Sequence, residues 1–570
     1  MSAPTRLLEA VFKLPPAVTR AVTVTRDIAV RTRDAETLRT DHYRPEVPGA
    51  PTVLVRTPYG RRGAMALLGR VIAERGYHTV VQSCRGTFGS SGGFEPLLHE
   101  REDGMDTLHW LRRQPWYSGA FGMFGASYLG FVQWAIAADA GDELKAMVAV
   151  VSASQTRDST YSGGAFSLDT VLTWAELIQA QEEPPWVGWW DQQKRRLSRQ
   201  IELRRGQPRL RRGLDHLPLR EADRVATGGT VGFFQEWLEH TEPGADYWRQ
   251  RVYDQRIADV AAPVALITGW HDIFLPAQLN DYATLRAAGR QPYLTIGPWT
   301  HGSVGLYGAA LREGLAWFQA HLSTMDGSGL RAAPVRLHVD GGAGWHDLAD
   351  WPPRASVEPW YLHPHRELAP TVPPPSTPDS FRYDPAEPTP SMGGPLLVAN
   401  RAGQVDNGPV EARADVLVYT SAPIHWAVEV VGPVETRVFV RSELAYFDVF
   451  ARLCDVDSAG RSWNVCDGLA RVTPGLFPVN GDGVHEVRVE LWPTAYRFRP
   501  GHRIRLQISG GAHPRYARNP GTGEPLATAT QLRAGSRQVC HEPGAASAVL
   551  LPVIANGRVA AGVSPGVNQP

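Results

Sequence analysis

The first half of the chain alternates short apolar runs with amphipathic stretches, and this pattern predicts an α/β domain. Buried strands are predicted where apolar and β-branched residues cluster, at 52–55, 77–81, 147–151, 263–268 and 293–296. Helices are predicted between and after these strands, at 65–74, 103–113 and 311–322. Such regular alternation is typical of a mostly parallel sheet with helices on both faces.

The middle and the end of the chain follow different patterns. Between 155 and 256 the alternation stops, and segments rich in Trp and Arg predict an inserted helical cap. From about 332, short runs separated by Gly, Pro and Asp predict a β-sandwich of jelly-roll type, and 362–403 is the longest irregular connection. The predicted domains are therefore an α/β domain in two parts, 1–154 and 257–331, a cap at 155–256 and a β-sandwich at 332–570.

Composition and charge favour a globular protein that acts on small molecules. The 570 residues include 43% hydrophobic and 20% charged residues, and 58 Lys and Arg balance 58 Asp and Glu. This balance disfavours nucleic acid and anionic membranes as partners. Charges at Arg6, Glu9 and Lys13 interrupt the N-terminal apolar stretch, and we identify neither a signal peptide nor a spanning run. A cytoplasmic location is expected, and the oligomeric state is left open.

The residues that commonly bind metals show no metal-binding spacing. Cys84, Cys454, Cys466 and Cys540 lie far apart without a CxxC pair, although a disulfide between Cys454 and Cys466 is possible. His271 has no clustered histidine partner and no H-E-x-x-H motif. We therefore predict no metal and no cofactor.

The segment Gly125–Gly130 is the sharpest candidate for catalysis. It lies between a predicted strand and a predicted helix, where Ser127 would stand on a tight turn and the helix N-terminus would face a developing oxyanion. The segment departs from G-x-S-x-G because Leu129 occupies the place of the second glycine, which comes at Gly130. The alternative is a glycine-rich turn that serves packing alone.

Asp272 and His301 each follow a predicted strand, as Ser127 does. Loops at the carboxyl ends of parallel strands form the sites of such sheets, and the order Ser127, Asp272, His301 is that of an α/β-hydrolase triad. His301 would take the proton of Ser127, and Asp272 would orient the imidazole. Taken singly, Asp272 could be a helix N-cap and His301 an ordinary loop histidine.

Taken together, these motifs resemble the cocaine esterase/X-Pro dipeptidyl-peptidase group of serine hydrolases, also called CocE/NonD. That family carries G-x-S-Y-x-G, R-x-P-Y-G, G-W-x-D and G-P-W-x-H motifs, which match Gly125–Gly130, Arg56–Gly60, Gly269–Asp272 and Gly297–His301. Its β domain is similar to the segments Pro500–Leu506, Asn519–Pro520 and Asp455–Asp457. The resemblance extends from about residue 22 to about residue 555 and implies an α/β-hydrolase domain, a cap and a β-sandwich.

The resemblance also implies an oxyanion hole made by the Tyr59 hydroxyl and the backbone N–H of Tyr128. Tyr59 could instead be a tyrosine that merely covers the core at a strand end. The chain departs from the family before its R-G turn, where an acidic residue is usual and this chain has the segment Gln82–Gly86. An ion pair of Arg85 would therefore need another partner.

Aromatic residues are the candidates for a substrate pocket, and we name Phe166, Trp174 and Trp270. The cap supplies several further indoles, which more often form the core of such an insertion: Trp186, Trp189, Trp190, Trp237 and Trp248.

The sequence thus predicts a cofactor-independent serine hydrolase that cleaves an ester or amide through an acyl-enzyme. An X-Pro dipeptidyl-peptidase is an alternative, and it would need a cap carboxylate such as Glu176, Glu182 or Glu183 to hold a free amino terminus. Acyl transfer to an alcohol or amine is a second alternative. A catalytically silent binding protein on the same fold is a third.

Overall fold

The computed structural model describes residues 3–181, 208–323 and 329–554. The strands of its first half are β1 (Val22–Arg31), β2 (Thr37–Pro45), β3 (Thr52–Thr57), β4 (His78–Ser83), β5 (Phe121–Ala126), β6 (Leu144–Val150), β7 (Tyr161–Ser162), β8 (Ala165–Phe166), β9 (Val264–His271), β10 (Tyr293–Thr300), β11 (Val335–Val339) and β12 (Gly344–Leu348). All except the small β7–β8 hairpin form one ten-stranded sheet, in the order β1-β2-β4-β3-β5-β6-β9-β10-β11-β12.

The centre of this sheet is parallel. Strands β4, β3, β5, β6, β9, β10 and β11 run in one direction, while β1, β2 and β12 are antiparallel to their neighbours. Every residue of β3, β4 and β9 is buried, as expected of strands that are covered on both faces. The carboxyl ends of the parallel strands therefore meet at one edge of the sheet.

Helices cover the two faces of the sheet, as the alternation predicted. Their bounds are Ala3–Phe12, Ala64–Ala73, Glu100–Leu111, Tyr128–Ala137, Leu275–Ala287 and Val304–Phe318, with a 3-10 turn at Gly141–Glu143 and a π turn at Gln319–Ser323. The helix predicted at 311–322 begins earlier, at Val304, because its apolar face already packs there through Leu306 and Ala310.

The sheet is larger than the sequence predicted at both of its ends. The antiparallel pair β1–β2 was not predicted, because most positions of β1 are exposed or only partly buried. At the other end, β11 pairs in parallel with β10 through Leu294 and Val335, and β12 follows it. The first sheet therefore continues to Leu348, beyond the domain boundary predicted at 331.

The predicted cap is helical where the structure describes it. Its helices are Arg157–Thr160, Leu168–Gln181, Pro208–Asp215, Ala222–Thr227, Gly232–Glu239 and Asp246–Arg249, with 3-10 turns at Leu219–Glu221 and Asp254–Asp259. Trp237 and Trp248 are buried in the core that these helices share with the sheet. Trp186, Trp189 and Trp190 lie outside the described residues, as does the cap between 182 and 207.

The last part of the described chain is a β-sandwich, as predicted. Its strands are β13 (Ser356–Leu362), β14 (Leu368–Ala369), β15 (Asp379–Tyr383), β16 (Val416–Thr420), β17 (Val428–Ser442), β18 (Phe447–Val456), β19 (Ser462–Val472), β20 (His485–Phe498), β21 (Arg503–Ser509), β22 (Gly535–Val539), β23 (His541–Glu542), β24 (Ala545–Ala546) and β25 (Ala548–Val553), with short helical turns at Pro364–Arg366 and Gly408–Glu411. One sheet has the order β14-β13-β25-β17-β22-β15 with β20 on β17, and the other has β16-β21-β18-β19. Val438, Phe447, Leu506 and Val549 belong to the apolar core between them.

Two further features complete the fold. All four cysteines are buried and free, so the possible Cys454–Cys466 disulfide is not formed. Among the helices that the structure describes, none is long and apolar enough to cross a bilayer.

Candidate active site

Four of the residues singled out in the sequence lie at one edge of the parallel sheet. Tyr59 follows β3, Ser127 follows β5, Asp272 follows β9 and His301 follows β10. Because these strands are parallel and close together in the sheet order, their carboxyl ends place the four residues at the same edge.

Ser127 stands on a strained turn between β5 and the helix Tyr128–Ala137. Its φ of 58° and ψ of −125° are unusual for a residue with a side chain, and such conformations cluster at functional sites. Backbone bonds hold the turn, because the Ser127 N–H donates to Val150 while the Ser127 carbonyl accepts from Gly130. The helix N-terminus therefore begins directly behind the hydroxyl, where it favours negative charge.

Close packing explains the unusual glycine spacing of this turn. A Cβ added at Gly125 would lie 2.3 Å from the Cβ of Leu129, and one at Gly130 would lie 2.4 Å from the Cβ of Ser152. The helix thus approaches the preceding strand at 125 and the loop after β6 at 130. Position 129 can hold a leucine because the residue that it packs against at 125 is a glycine, whereas position 130 faces Ser152 and has no room for a Cβ.

Asp272 and His301 form a short hydrogen bond. The Nδ1 atom of His301 lies 2.6 Å from Oδ2 of Asp272, whose other oxygen accepts the N–H of Phe274 at 2.8 Å. Asp272 is fully buried and His301 is 7% exposed, so water competes little for this pair. The Asp272 carboxylate thus closes the turn before the helix Leu275–Ala287, but Phe274 is the N-cap of that helix and no side chain caps it.

The loop after β3 is built to present Tyr59. The Tyr59 N–H donates to the Thr57 hydroxyl at 3.0 Å, and Pro58 restricts the backbone between them. Gly60 has a φ of 83°, and a Cβ there would lie 2.8 Å from the ring of Phe88. Arg56 is fully buried and forms an ion pair with Glu100 at 2.9 Å. Each residue of the R-x-P-Y-G motif therefore has a contact or a backbone conformation that explains its identity.

The Tyr59 hydroxyl lies between Ser127 and the cap. It accepts a hydrogen bond from Nε1 of Trp174 at 3.2 Å, and it is also hydrogen-bonded to the Ser127 side chain. Desolvation raises the pKa of Tyr59 to about 12, against the effect of these two hydrogen bonds. The phenol therefore remains a neutral O–H donor at physiological pH.

The hydrogen bonds at the site thus form two separate groups, Asp272 with His301 and Tyr59 with Trp174 and Ser127. Among the described hydrogen bonds, none joins Ser127 directly to His301. In serine hydrolases without substrate such catalytic bonds are often long and tighten in the complex.

The Tyr128 side chain anchors the turn rather than pointing to the nucleophile. Its hydroxyl donates to Oε1 of Glu100 at 2.7 Å and accepts the N–H of Leu97 at 2.9 Å. The backbone N–H of Tyr128 is thereby held in place next to Ser127. Nothing in the sequence marked Glu100, because its role depends on contacts with Tyr128 and Arg56.

Arg85 forms ion pairs with two carboxylates. Arg85 binds Asp34 at 2.6 Å and Asp103 at 2.5 Å, so the absence of an acidic residue just before the R-G turn leaves the guanidinium paired. Gln82 instead accepts hydrogen bonds from Nε of Arg56 and from the Thr107 hydroxyl through one side-chain oxygen.

A cavity opens beside Ser127, and most of its wall is apolar. It holds about 70 Å³ and is lined by Tyr59, Leu97, Ser127, Tyr128, Phe131, Ser152, Thr156, Ser159, Thr160, Thr170, Val171, Trp174, Trp237, Ile273, Phe274 and Leu397. None of these described lining residues carries a formal charge. Leu397 comes from the irregular connection of the β domain, and sequence reasoning missed it.

Of the three aromatic pocket candidates, the structure places Trp174 in the cavity wall. The structure places the other two candidates, Phe166 and Trp270, elsewhere. Phe166 is fully buried and packs against Tyr161 and Phe234 in the cap. Trp270 is 4% exposed, and its indole N–H donates to the backbone of His338 on β11. Both side chains are held in the core, away from the cavity.

Comparisons with known proteins match most of the chain. The model of the X-Pro dipeptidyl-peptidase (S15 family) matches residues 34–303, and that of the X-Pro dipeptidyl-peptidase C-terminal non-catalytic domain matches 329–549. The cocaine esterase of a Rhodococcus species is 30% identical over 93% of this chain and 98% of its own length.

Two solved structures support the fold. An α-amino acid ester hydrolase has a TM-score of 0.78 at 22% identity, and the match covers 95% of this chain and 98% of that one. An aminopeptidase from a marine sediment Thaumarchaeota archaeon has a TM-score of 0.76 at 23% identity, with the same coverage.

Fold and site together define a serine hydrolase of the α/β-hydrolase class that acts on ester or amide bonds. The chain belongs to the cocaine esterase/X-Pro dipeptidyl-peptidase family, CocE/NonD. Within the described residues, no group of three or more His, Cys, Asp or Glu side chains is arranged to hold a metal ion.

Proposed function

We propose that this protein is an esterase that uses Ser127, His301 and Asp272 as its catalytic triad. The observation that carries the proposal is the 2.6 Å bond between His301 and Asp272 at the sheet edge where Ser127 stands on its strained turn. Asp272 holds the Nδ1–H tautomer, which leaves Nε2 of His301 as the base.

The reaction proceeds through an acyl-enzyme. The Ser127 oxygen attacks the substrate carbonyl and gives its proton to Nε2 of His301, while the Tyr59 O–H and the Tyr128 N–H donate to the oxyanion. His301 then protonates the leaving group as its bond to the carbonyl carbon breaks. In the second half-reaction His301 takes a proton from water, which attacks the acyl carbon, and Ser127 is released with its proton.

The cavity favours substrates with an uncharged, apolar acyl group. Aromatic and aliphatic side chains such as Phe131, Val171 and Trp237 form most of its wall, and its described lining holds no carboxylate. A substrate with a free amino terminus would have to bury an ammonium group without a partner there, which is costly. Glu182 and Glu183 lie outside the described residues, and Glu176 is not part of the cavity wall.

Two measurements test this proposal. A fluorophosphonate probe should label one serine, and mass spectrometry of the peptides should locate the adduct on Ser127. Ser127→Ala should lose labelling and at least about 10⁴-fold in kcat. Labelling elsewhere, or turnover retained by Ser127→Ala, would contradict the assignment of the nucleophile.

A substrate panel tests the acyl preference. The kcat/KM for 4-nitrophenyl butyrate should exceed that for an α-amino 4-nitrophenyl ester and for an X-Pro 4-nitroanilide by about 100-fold or more, because an unpaired buried charge costs several kcal/mol. Faster cleavage of the X-Pro anilide would favour the dipeptidyl-peptidase alternative. Ester or amide products formed with an added alcohol or amine would favour acyl transfer.

A further inference from the structure

Besides lining the cavity, Trp174 forms a hydrogen bond with Tyr59. Its indole N–H donates to the hydroxyl oxygen of Tyr59 at 3.2 Å. An indole N–H can only donate, so the bond uses a lone pair of the phenol and leaves the phenol proton free to point elsewhere. The remaining hydrogen-bond partner of Tyr59 is Ser127, on the side where the oxyanion would develop.

This bond also strengthens the phenol as a donor. A hydrogen bond to the phenol oxygen stabilises the negative charge that builds on it as its proton is shared, and it lowers the pKa that desolvation raises. Chains of hydrogen bonds in a dry site polarise one another, so the bond from Tyr59 to an oxyanion becomes stronger.

The position of the Trp174 ring is fixed by its neighbours. It stacks on Trp237 with an interplanar angle of 10° and a centroid distance of 5.8 Å, and on Tyr128 with 20° and 6.2 Å. Phe233 packs against it at 4.7 Å. Because the ring is held from several sides, its N–H has a defined direction toward Tyr59.

We propose that Trp174 is a positioning residue of the oxyanion hole: its N–H orients the Tyr59 hydroxyl toward the oxyanion and increases its strength as a donor. Trp174 belongs to the cap helix Leu168–Gln181, so the cap contributes to transition-state stabilisation as well as to the pocket. This inference rests on the proposed role of Tyr59.

A double-mutant cycle tests the inference, with kcat for an activated ester as the readout. Trp174→Phe removes the N–H but keeps an aromatic ring, and it should lower kcat about fivefold in the wild-type background, the factor that corresponds to about 1 kcal/mol for one neutral hydrogen bond. In a Tyr59→Phe background, which has no hydroxyl to orient, the same change should alter kcat by less than twofold.

Leu397→Ala is the control. It also removes atoms from the cavity wall, but Leu397 comes from the β domain and is not one of the rings that hold Trp174, so it should change kcat by the same factor in both backgrounds. An equal effect of Trp174→Phe on kcat in both backgrounds would overturn the inference, because the indole would then contribute only by lining the cavity. If Tyr59→Phe itself retains full kcat, the oxyanion assignment fails instead.

A second replacement separates loss of the N–H from repacking of the side chains around Trp174. Substitution of Trp174 by β-(3-benzothienyl)alanine keeps the fused ring and its stacking but replaces N–H with sulfur. It should reproduce the fall in kcat with KM changed less than twofold. Wild-type kcat with this analogue would overturn the inference even if Trp174→Phe folds poorly.

Discussion

The carboxylate of Asp169 and the guanidinium of Arg401 form a two-bonded ion pair that joins the cap to the β domain, with distances of 2.8 and 3.2 Å. Asp169 lies near the start of the helix that carries Trp174, and Arg401 lies in the connection that supplies Leu397 to the cavity. The Asp169 side chain is 1% exposed, whereas that of Arg401 is 40% exposed. The pair therefore fixes two walls of the cavity relative to each other.

The first prediction concerns this ion pair. Desolvation raises the pKa of Asp169, and Arg401 opposes that rise. Arg401→Gln should raise the pKa further and destabilise the fold by about 1–3 kcal/mol at pH 8, less than for a fully buried pair because Arg401 is partly exposed. The loss should be smaller at pH 5, because the cost of a raised pKa grows with pH from the ordinary Asp value of 3.8 up to the pKa in the folded protein, and pH 5 lies only a little above 3.8.

Urea denaturation at the two pH values measures this effect. Adding Asp169→Asn to Arg401→Gln should restore stability at pH 8 and remove the difference between the two conditions. An Arg401→Gln variant that is equally stable at both pH values would show that Asp169 does not depend on Arg401. The KM of Arg401→Gln should rise together with the loss of stability, since Leu397 is no longer held.

A second prediction concerns the close packing behind the nucleophile. Gly130→Ala would place a Cβ 2.4 Å from the Cβ of Ser152, so the helix after Ser127 must move and carry the Tyr128 N–H with it. We expect a fall of at least about 10²-fold in kcat, the size expected when an oxyanion donor is lost.

Gly232→Ala is the control for this substitution. Gly232 also lies in a helix, but a Cβ there meets nothing within 4 Å, so the alanine should leave kcat unchanged and stabilise the protein by up to about 1 kcal/mol. Full activity of Gly130→Ala would show that the helix can shift without moving the oxyanion donor.

A third prediction separates the two tyrosines of the proposed oxyanion hole. Tyr59→Phe removes a donor hydroxyl and should lower kcat by about 10²–10³-fold with little loss of stability. Tyr128→Phe keeps the backbone N–H that serves the oxyanion but leaves Glu100 and the Leu97 N–H without their shared partner. It should cost about 1–3 kcal/mol of stability while kcat falls less than in Tyr59→Phe. Thermal unfolding and kcat should be measured on both variants. A larger fall in kcat for Tyr128→Phe than for Tyr59→Phe would contradict the assignment of the Tyr59 hydroxyl as the oxyanion donor and of the Tyr128 hydroxyl as a structural anchor.

The sequence predicted which residues meet at the sheet edge better than it predicted the walls of the cavity. Ser127, Asp272 and His301 each follow an apolar run, and parallel strands bring their carboxyl ends to one edge, so their common location follows from local pattern and topology. Phe166 and Trp270 were wrong as pocket residues, because local sequence does not show whether an aromatic side chain will pack in the core or line the cavity.

Contacts between distant segments could not be predicted. Asp169 and Arg401 are 232 residues apart, and neither lies in a motif that points to the other. Leu397 lies in a connection without regular structure, so no hydrophobic periodicity indicated that it faces the cavity. Such residues reach the site only through the packing of the β domain against the cap.

The last prediction concerns the pH dependence of stability at the other side of the sheet. His42 on β2 and His78 on β4 are buried, with 2.9 Å between Nε2 and Nδ1, and both stack on Trp116. Desolvation lowers the pKa of His42 to about 3, with His78 and Arg44 adding to it, and the pKa of His78 to about 4.

Both histidines are therefore neutral in the folded protein but titrate near their ordinary pKa of 6.5 when it unfolds. Below pH 6.5 the unfolded chain binds protons that the folded chain does not, so the stability present at pH 7 is lost as the pH falls. At pH 5 each histidine should cost about 2 kcal/mol of unfolding free energy. Urea denaturation from pH 7 to pH 5 should show this fall, and His78→Gln should make it shallower because one titrating group is removed. A variant as pH-sensitive as the wild type would place the responsible protons elsewhere, for example on His271 or His513, whose pKa values burial also lowers.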